Sequence, residues 1–127
     1  MKKKINTVIG GKKVDIEIGH LAELARINKV NDLGNSDDVY GVFSEKGRGP
    51  HKILISEHKN KIPQEMLDTL IHEIFHAIIR FYKVPVFKKR EEEIVSLLSK
   101  ALSDTLLNNR DLWSLVQSLV KNNNNLN

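Results

Sequence analysis

The chain has 127 residues, of which 40% are hydrophobic and 28% charged, a length and balance typical of one soluble globular domain. It contains no cysteine, which excludes disulfide bonds, thiolate metal ligands and a cysteine nucleophile. The net charge of +4 permits contact with nucleic acid, but no aromatic residues accompany the basic clusters at 2–4, 12–13 and 88–90 in the way that a nucleic-acid-binding groove requires. We therefore expect these clusters to be solvated surface and expect no nucleic-acid partner.

The first residues resemble the basic start of a signal peptide, but no apolar core follows them. Asn6, Thr7 and Gly10 interrupt the apolar positions after the three lysines. No uninterrupted apolar segment approaches the length needed to cross a bilayer. We therefore predict a cytoplasmic protein with no membrane partner.

A β-hairpin is the first predicted element. Residues 5–9 and 14–18 have the pattern of short strands, and Gly10-Gly11 between them supplies the positive φ angles of a tight turn. Apolar and acidic residues alternate in the second strand, in the order Val14, Asp15, Ile16, Glu17, Ile18. This alternation predicts one buried face and one face in water.

A short amphipathic helix is predicted at 20–30, followed by a turn-rich segment at 31–38. A second pair of strands is predicted at 39–43 and 52–55, joined by a loop that contains two glycines and a proline. We expect the strand 52–55 to be an exposed edge strand.

The longest predicted helix runs from Pro63 to about Lys83. Proline suits the first turn of a helix, and neither glycine nor proline interrupts the sequence up to Phe81. Its apolar positions recur at helical spacing: Leu67, Leu70, Ile71, Ile74, Phe75, Ile78 and Ile79. This apolar face turns away from His72 and His76.

The same helix carries His72-Glu73-Ile74-Phe75-His76, an H-E-x-x-H pattern. Residues four apart lie one above the other on a helix, so both imidazoles reach a single ion. The intervening Glu73 is placed to hold a metal-bound water and to take its proton. The pattern predicts a zinc site with Glu73 as the catalytic residue; the alternative is a metal-free helix on which the two histidines have structural roles.

Pro85 ends the long helix. Two further helices are predicted at about 90–108 and 111–120, and residues 122–127 are predicted to be a disordered Asn-rich tail. The resulting order indicates a single α+β domain at 1–121. We expect a small antiparallel or mixed sheet packed on the H-E-x-x-H helix and a second, C-terminal helix.

Catalytic zinc usually has three protein ligands, so a third is expected beyond His72 and His76. Glu91-Glu92-Glu93 opens the next helix, where acidic residues also stabilise the helix dipole. We expect its apolar stripe to face the core, formed by Ile94, Leu98, Ala101, Leu102 and Thr105. Small residues after Glu92, at 95, 96 and 99, favour a close approach to the long helix. Glu92 is therefore the favoured third ligand, with Glu91 and Glu93 as alternatives.

The remaining histidines, His20, His51 and His58, are expected to be surface or capping residues, although His58 precedes the long helix closely enough to approach the cleft. Tyr40 lies on a predicted strand that could border the cleft and assist an oxyanion, and Tyr82 lies on the long helix beyond the second histidine. The sequence does not place either of them.

Thr69-Leu70-Ile71-His72-Glu73-Ile74-Phe75-His76-Ala77-Ile78 resembles the active-site helix of small gluzincin-type metallopeptidase-like proteins, many of which are carried by bacteriophages and prophages. Residues 91–109 resemble their second helix, and residues 39–41 and 53–55 resemble their sheet. The resemblance implies zinc on His72, His76 and a glutamate of 91–93, Glu73 as general base, and the host cytoplasm as location. It does not extend to a helix-turn-helix or to a Cys-rich zinc ribbon, which this chain lacks.

Three functions are therefore compatible with the sequence. The first is a phage- or prophage-associated zinc metallopeptidase that cleaves a peptide or protein substrate, held by pairing with the strand 52–55. The second is a non-catalytic zincin-like module that binds another protein. The third is a metal-free structural domain. The substrate and the oligomeric state are left open.

Overall fold

The computed structural model describes residues 3–31, 33 and 39–126. Its elements in chain order are β1 (Lys3–Ile9), β2 (Lys12–Gly19), α1 (Leu21–Ile27), β3 (Gly41–Ser44), β4 (His51–Ser56), α2 (Pro63–Phe81), α3 (Lys88–Asn108) and α4 (Arg110–Leu126). The predicted α+β class is confirmed. The predicted segment 31–38 lies largely outside the described residues. No helix in the described ranges combines the length and the apolar character that crossing a membrane requires.

The predicted hairpin of β1 and β2 is confirmed. Gly10 and Gly11 have φ angles of +57° and +77°, and Ile9 pairs with Lys12 across the turn. The positive φ angles explain the two glycines, because other residues adopt this conformation at a cost.

The four strands form one mixed sheet in the order β1-β2-β4-β3. β4 is parallel to β2 and antiparallel to β3, with Ile16 opposite Ile53 and Phe43 opposite Ile53. The prediction that 52–55 is an edge strand is therefore wrong. β4 lies between β2 and β3 because it pairs with both, and β3 is the edge strand on that side of the sheet.

One face of the sheet packs against α2. Its buried side chains are Val14, Ile16, Ile18, Ile53 and Ile55. Leu70 and Ile74 of α2 contact this cluster, as the helical pattern predicts, together with Met66 and Phe81. α2 begins with Pro63 in its first turn, and its His72 and His76 lie outside the cluster that packs on the sheet.

α1 covers the other face of the sheet by packing Leu21, Leu24 and Ala25 on Leu54. The prediction that Asp15 and Glu17 face water is therefore wrong. These two carboxylates are only 7% and 9% exposed. Both accept hydrogen bonds from Lys52 Nζ, at 3.1 and 3.3 Å. An alternating strand has a wet face only when no other element covers it, and here α1 packs on that side.

α3 packs against α2 with its small residues rather than with its apolar stripe. Val95, Ser99 and Ser103 are buried, whereas Leu98 is 51% exposed and Leu102 is 39% exposed. The predicted core-facing stripe at 94–105 is therefore wrong. Because Ala77 of α2 is fully buried, we attribute the choice of face to the close approach that small side chains permit between helices.

α4 continues to Leu126, so the described backbone of the Asn-rich segment 122–127 is helical, and the disorder of this segment stays a prediction. Neither glycine nor proline interrupts the sequence after Arg110. Asparagine is a weak helix former, but unlike proline it does not clash with the preceding turn. The backbone hydrogen bonds of the helix therefore continue through the asparagines.

Candidate metal centre

His72 and His76 lie one turn apart on α2, on the side that faces α3. Their ring centroids are 4.9 Å apart, and their Nε2 atoms are 3.2 Å apart. Both rings are half-buried, so the two nitrogen atoms share a partly desolvated position between the helices.

Glu92 brings its carboxylate to both of these rings from the first turns of α3. Its Oε1 is 2.8 Å from His72 Nε2, and its Oε2 is 2.8 Å from His76 Nε2. Val95 and Ser99, on the same side of α3, are buried and hold this flank of the helix against α2. The structure therefore brings together the favoured ligand set of His72, His76 and Glu92.

The other two glutamates of the acidic triplet have separate partners. Glu91 Oε2 lies 2.6 Å from His76 Nδ1. Glu93 Oε2 lies 3.2 Å from Arg90 Nε at an exposed position. Consecutive residues on a helix point about 100° apart, which explains why three adjacent carboxylates have three different roles.

The donor atoms of His72, His76 and Glu92 form a group that could hold a metal ion. When His76 donates its Nδ1 hydrogen to Glu91, the neutral ring has a lone pair on Nε2, directed at the carboxylate of Glu92 and at His72. Tetrahedral zinc ligands at about 2.0–2.2 Å from the metal lie roughly 3.3–3.5 Å from one another. The 3.2 Å separation of the Nε2 atoms is close to that spacing, whereas the two 2.8 Å distances from Glu92 to these atoms are shorter and have the length of hydrogen bonds. One donor atom from each of the three residues lies within 4.8 Å of the others.

Glu73 is buried beside this cluster. Burial raises the pKa of Glu73 to about 7, the positive charge of His76 opposes the rise, and the negative charge of Glu92 adds to it. Burial also lowers the pKa of His72, against the opposing effect of Glu92. A cation beside these groups would favour the carboxylate form of Glu73 and the neutral form of His72.

The cluster is at the floor of a cleft between α2 and the edge strand β3. A depression of about 440 Å³ extends from it toward Tyr40 and Asp68, and a second of about 350 Å³ extends toward Phe43 and Arg80. The two depressions share four lining residues, Gly41, His72, Glu73 and Glu92. His72, Glu92 and Glu73 therefore line both depressions, and His76 lines the second.

Two features that the sequence reasoning missed hold β3 over this cleft. A Cβ atom at Gly41 would lie 2.8 Å from Thr69 Cγ2 and 3.3 Å from Glu73 Cγ, so glycine is required by the close passage of the strand. The buried Asn60 donates hydrogen bonds to the backbone oxygens of Tyr40 and Ser56, and its Oδ1 accepts one from Thr69. A glycine inside a predicted strand was the available signal for the first feature.

His20 and His58 have the capping and surface roles expected of them, whereas His51 is only partly exposed and its ring packs on Phe81, with centroids 4.8 Å apart. His20 caps α1 by accepting from the backbone of Glu23, and its ring contacts that of His58 at 5.3 Å. His51 accepts from the backbone of Lys46. None of these three residues lines the two depressions of the cleft, and neither does Tyr82, whereas Tyr40 does.

Comparison of the chain with protein families, with curated proteins and with solved structures finds no match.

Proposed function

We propose that the protein is a zinc-dependent metallopeptidase that hydrolyses peptide bonds in a peptide or protein substrate. The observation that supports this proposal is the convergence of His72, His76 and Glu92 next to the buried Glu73, in an open cleft under an edge strand. Phage or prophage association and a cytoplasmic location are implied by the sequence resemblance alone and stay predictions.

Zinc is the metal that this donor set favours. Two imidazoles and one carboxylate, with no thiolate in the chain, match the three-ligand composition of catalytic zinc sites. When bound, zinc supplies Lewis acidity, which lowers the pKa of water and polarises a carbonyl group. Glu91 fixes the orientation and tautomer of His76 through Nδ1, as outer carboxylates do in histidine metal sites.

Glu73 acts as general base and then as general acid in the proposed reaction. Its carboxylate takes a proton from the attacking water and delivers it to the leaving amine. Its position supports this role, because it lines the cleft beside both histidines and is 6% exposed, which excludes most competing water.

β3 holds the substrate in this proposal. Among the described strands it has β4 on one side only, and its residues from Gly41 to Phe43 line the cleft. An extended peptide that pairs with this free edge would pass over Glu73 and the histidines. The edge strand that binds substrate is thus proposed to be β3, in place of the segment 52–55.

The test uses protein purified without a His tag. We expect about one zinc per chain by elemental analysis, and cleavage of an unbiased peptide library detected by mass spectrometry. Glu73→Gln should keep the zinc and lose cleavage, whereas Glu65→Gln, on the first turn of the same helix, should keep both.

Three results would contradict parts of the proposal. Cleavage by Glu73→Gln at the wild-type rate would refute the role of Glu73. Bound zinc without cleavage of any peptide would favour the non-catalytic protein-binding module. Absence of zinc, with no thermal shift on addition or chelation of the metal, would favour the metal-free structural domain.

A further inference from the structure

The outer surface of α3 and α4 carries many exposed apolar side chains. Eight large apolar side chains on these helices are on average about half exposed: Leu97, Leu98, Leu102, Leu112, Trp113, Leu115, Leu119 and Val120. At roughly 150–200 Å² for each fully exposed side chain, they present roughly 600–800 Å² to solvent. The largest apolar patch on a typical monomer is about 300–600 Å², so this surface is larger than a monomer normally leaves uncovered.

α4 contributes most of this surface and has little packing of its own. Its apolar residues recur at 112, 115, 116, 119 and 120, the spacing of one helical face. Within the described residues its contacts are mainly with α3, to which it is joined at Asn109. An amphipathic helix of this kind gains its stability by burying the apolar face against another element.

The total accessible surface agrees with this picture. The chain exposes 9011 Å². A compact monomer of 14.5 kDa is expected to expose roughly 6,900 Å². The chain therefore leaves more surface uncovered than a compact monomer of its mass.

We propose that a second copy of this chain covers the apolar faces of α3 and α4, giving a two-fold symmetric homodimer. The available 600–800 Å² approaches the roughly 800 Å² per partner that a stable interface buries. Charge also permits self-association. From Leu112 to Asn124, α4 carries a single charged residue, Lys121, and the residues that flank its apolar face are serine, glutamine and asparagine. Two copies therefore meet without strong repulsion, as in interface cores depleted of charge.

The only tryptophan of the chain, Trp113, is 45% exposed on this face and reports its burial. We expect sedimentation equilibrium to give twice the 14.5 kDa of one chain at micromolar concentrations. Dilution should shift the Trp113 emission to longer wavelength as the dimer dissociates.

Substitutions on the two helices test the surface directly. Leu119→Glu on α4 and Leu98→Glu on α3 should each produce monomers, because a charge would be buried at the interface. Ser114→Glu, on the opposite side of α4, should remain dimeric. Circular dichroism and thermal unfolding of the monomeric variants check that the sheet and α2 stay folded, which we expect because these leucines lie outside the buried core.

A wild-type protein that stays monomeric up to hundreds of micromolar would overturn the proposal. A dimer that persists unchanged in both leucine variants would also overturn it, because the copies would then meet through another face.

Discussion

Replacing Glu92 by glutamine should remove most of the zinc affinity while keeping the shape of the side chain. Glu92 is the one carboxylate in the described residues that contacts the Nε2 atoms of both His72 and His76. Loss of an outer partner of a metal ligand already costs about 10–100-fold in affinity. For a direct ligand we therefore expect a loss of at least about 100-fold.

The expected thermal effect follows from mass action. With free zinc at about 100 times the wild-type Kd, binding stabilises the wild type by about 2.7 kcal/mol, and a site 100-fold weaker retains about 0.4 kcal/mol. For a domain of this size 1 kcal/mol shifts Tm by about 4 °C. Zinc should therefore raise Tm by about 10 °C in the wild type and by about 1–2 °C in Glu92→Gln.

Scanning calorimetry with and without zinc measures this difference, and Glu93→Gln is the matched control. Glu93 is the adjacent residue in the sequence, but it pairs with Arg90 at an exposed position. Its variant should keep the shift of about 10 °C. If Glu92→Gln keeps that shift, or if Glu93→Gln loses it equally, the assignment of the third ligand is wrong.

Three further variants test other parts of the structure. Glu91→Gln should weaken zinc binding about 10-fold, because Glu91 no longer orients the ring of His76. This loss would roughly halve the zinc-induced rise in Tm, and an unchanged rise would exclude the orienting role of Glu91. Lys52→Met should lower the free energy of unfolding in urea by about 3–5 kcal/mol, because it removes the Lys52 partner of two buried carboxylates and leaves Asp15 with only its contact to the exposed Lys4. Lys4→Met, which removes only that exposed contact, should cost less than about 1 kcal/mol. Burial lowers the pKa of Lys52, but the hydrogen bonds and charges of its two partners outweigh that effect and raise the pKa above its ordinary value of 10.5. The stabilisation by Lys52 is therefore complete below pH 10.5 and is lost as the pH rises through the folded-state pKa. The stabilities of the wild type and of Lys52→Met should therefore converge at that pH. Gly41→Ala should lower the free energy of unfolding by about 1–3 kcal/mol and reduce cleavage, because the added methyl group displaces β3 from Thr69. Gly47→Ala, with open space around it, should change the free energy of unfolding by less than about 0.5 kcal/mol. Equal effects of the two substitutions would contradict the close passage of the strand.

The features that the sequence predicted correctly depend on short-range order. The hairpin was predictable because Gly10-Gly11 sits between two alternating segments, and α2 because its apolar residues keep one period from Leu67 to Ile79. The juxtaposition of His72 and His76 follows from the same period. These predictions concern residues only a few positions apart in the sequence. Over such separations the backbone geometry of a helix or hairpin fixes the relative orientation of the side chains.

The errors all concern which element covers which surface. The pairing of β2 with β4 and the contacts of Lys52 with Asp15 and Glu17 join residues more than 30 positions apart, and alternation within one strand carries no information about them. Alternating apolar and acidic residues normally indicate a strand with one face in water. When a helix covers that face too, the acidic residues become part of a buried ionic cluster.

The misassigned face of α3 links the metal site to the proposed dimer. The side of α3 that carries Glu92 also carries Val95, Ser99 and Ser103, and these small buried residues set how closely α3 approaches α2. If the apolar stripe of Leu98 and Leu102 faced α2 instead, helix geometry would turn Glu92 away from both histidines. Small residues at the contact between α2 and α3 thus let Glu92 reach the histidines, and the larger apolar side chains of α3 lie on its outer side. An uncovered stripe on α3 is therefore the expected consequence of placing Glu92 at the cleft, and the second copy that we propose would bury it.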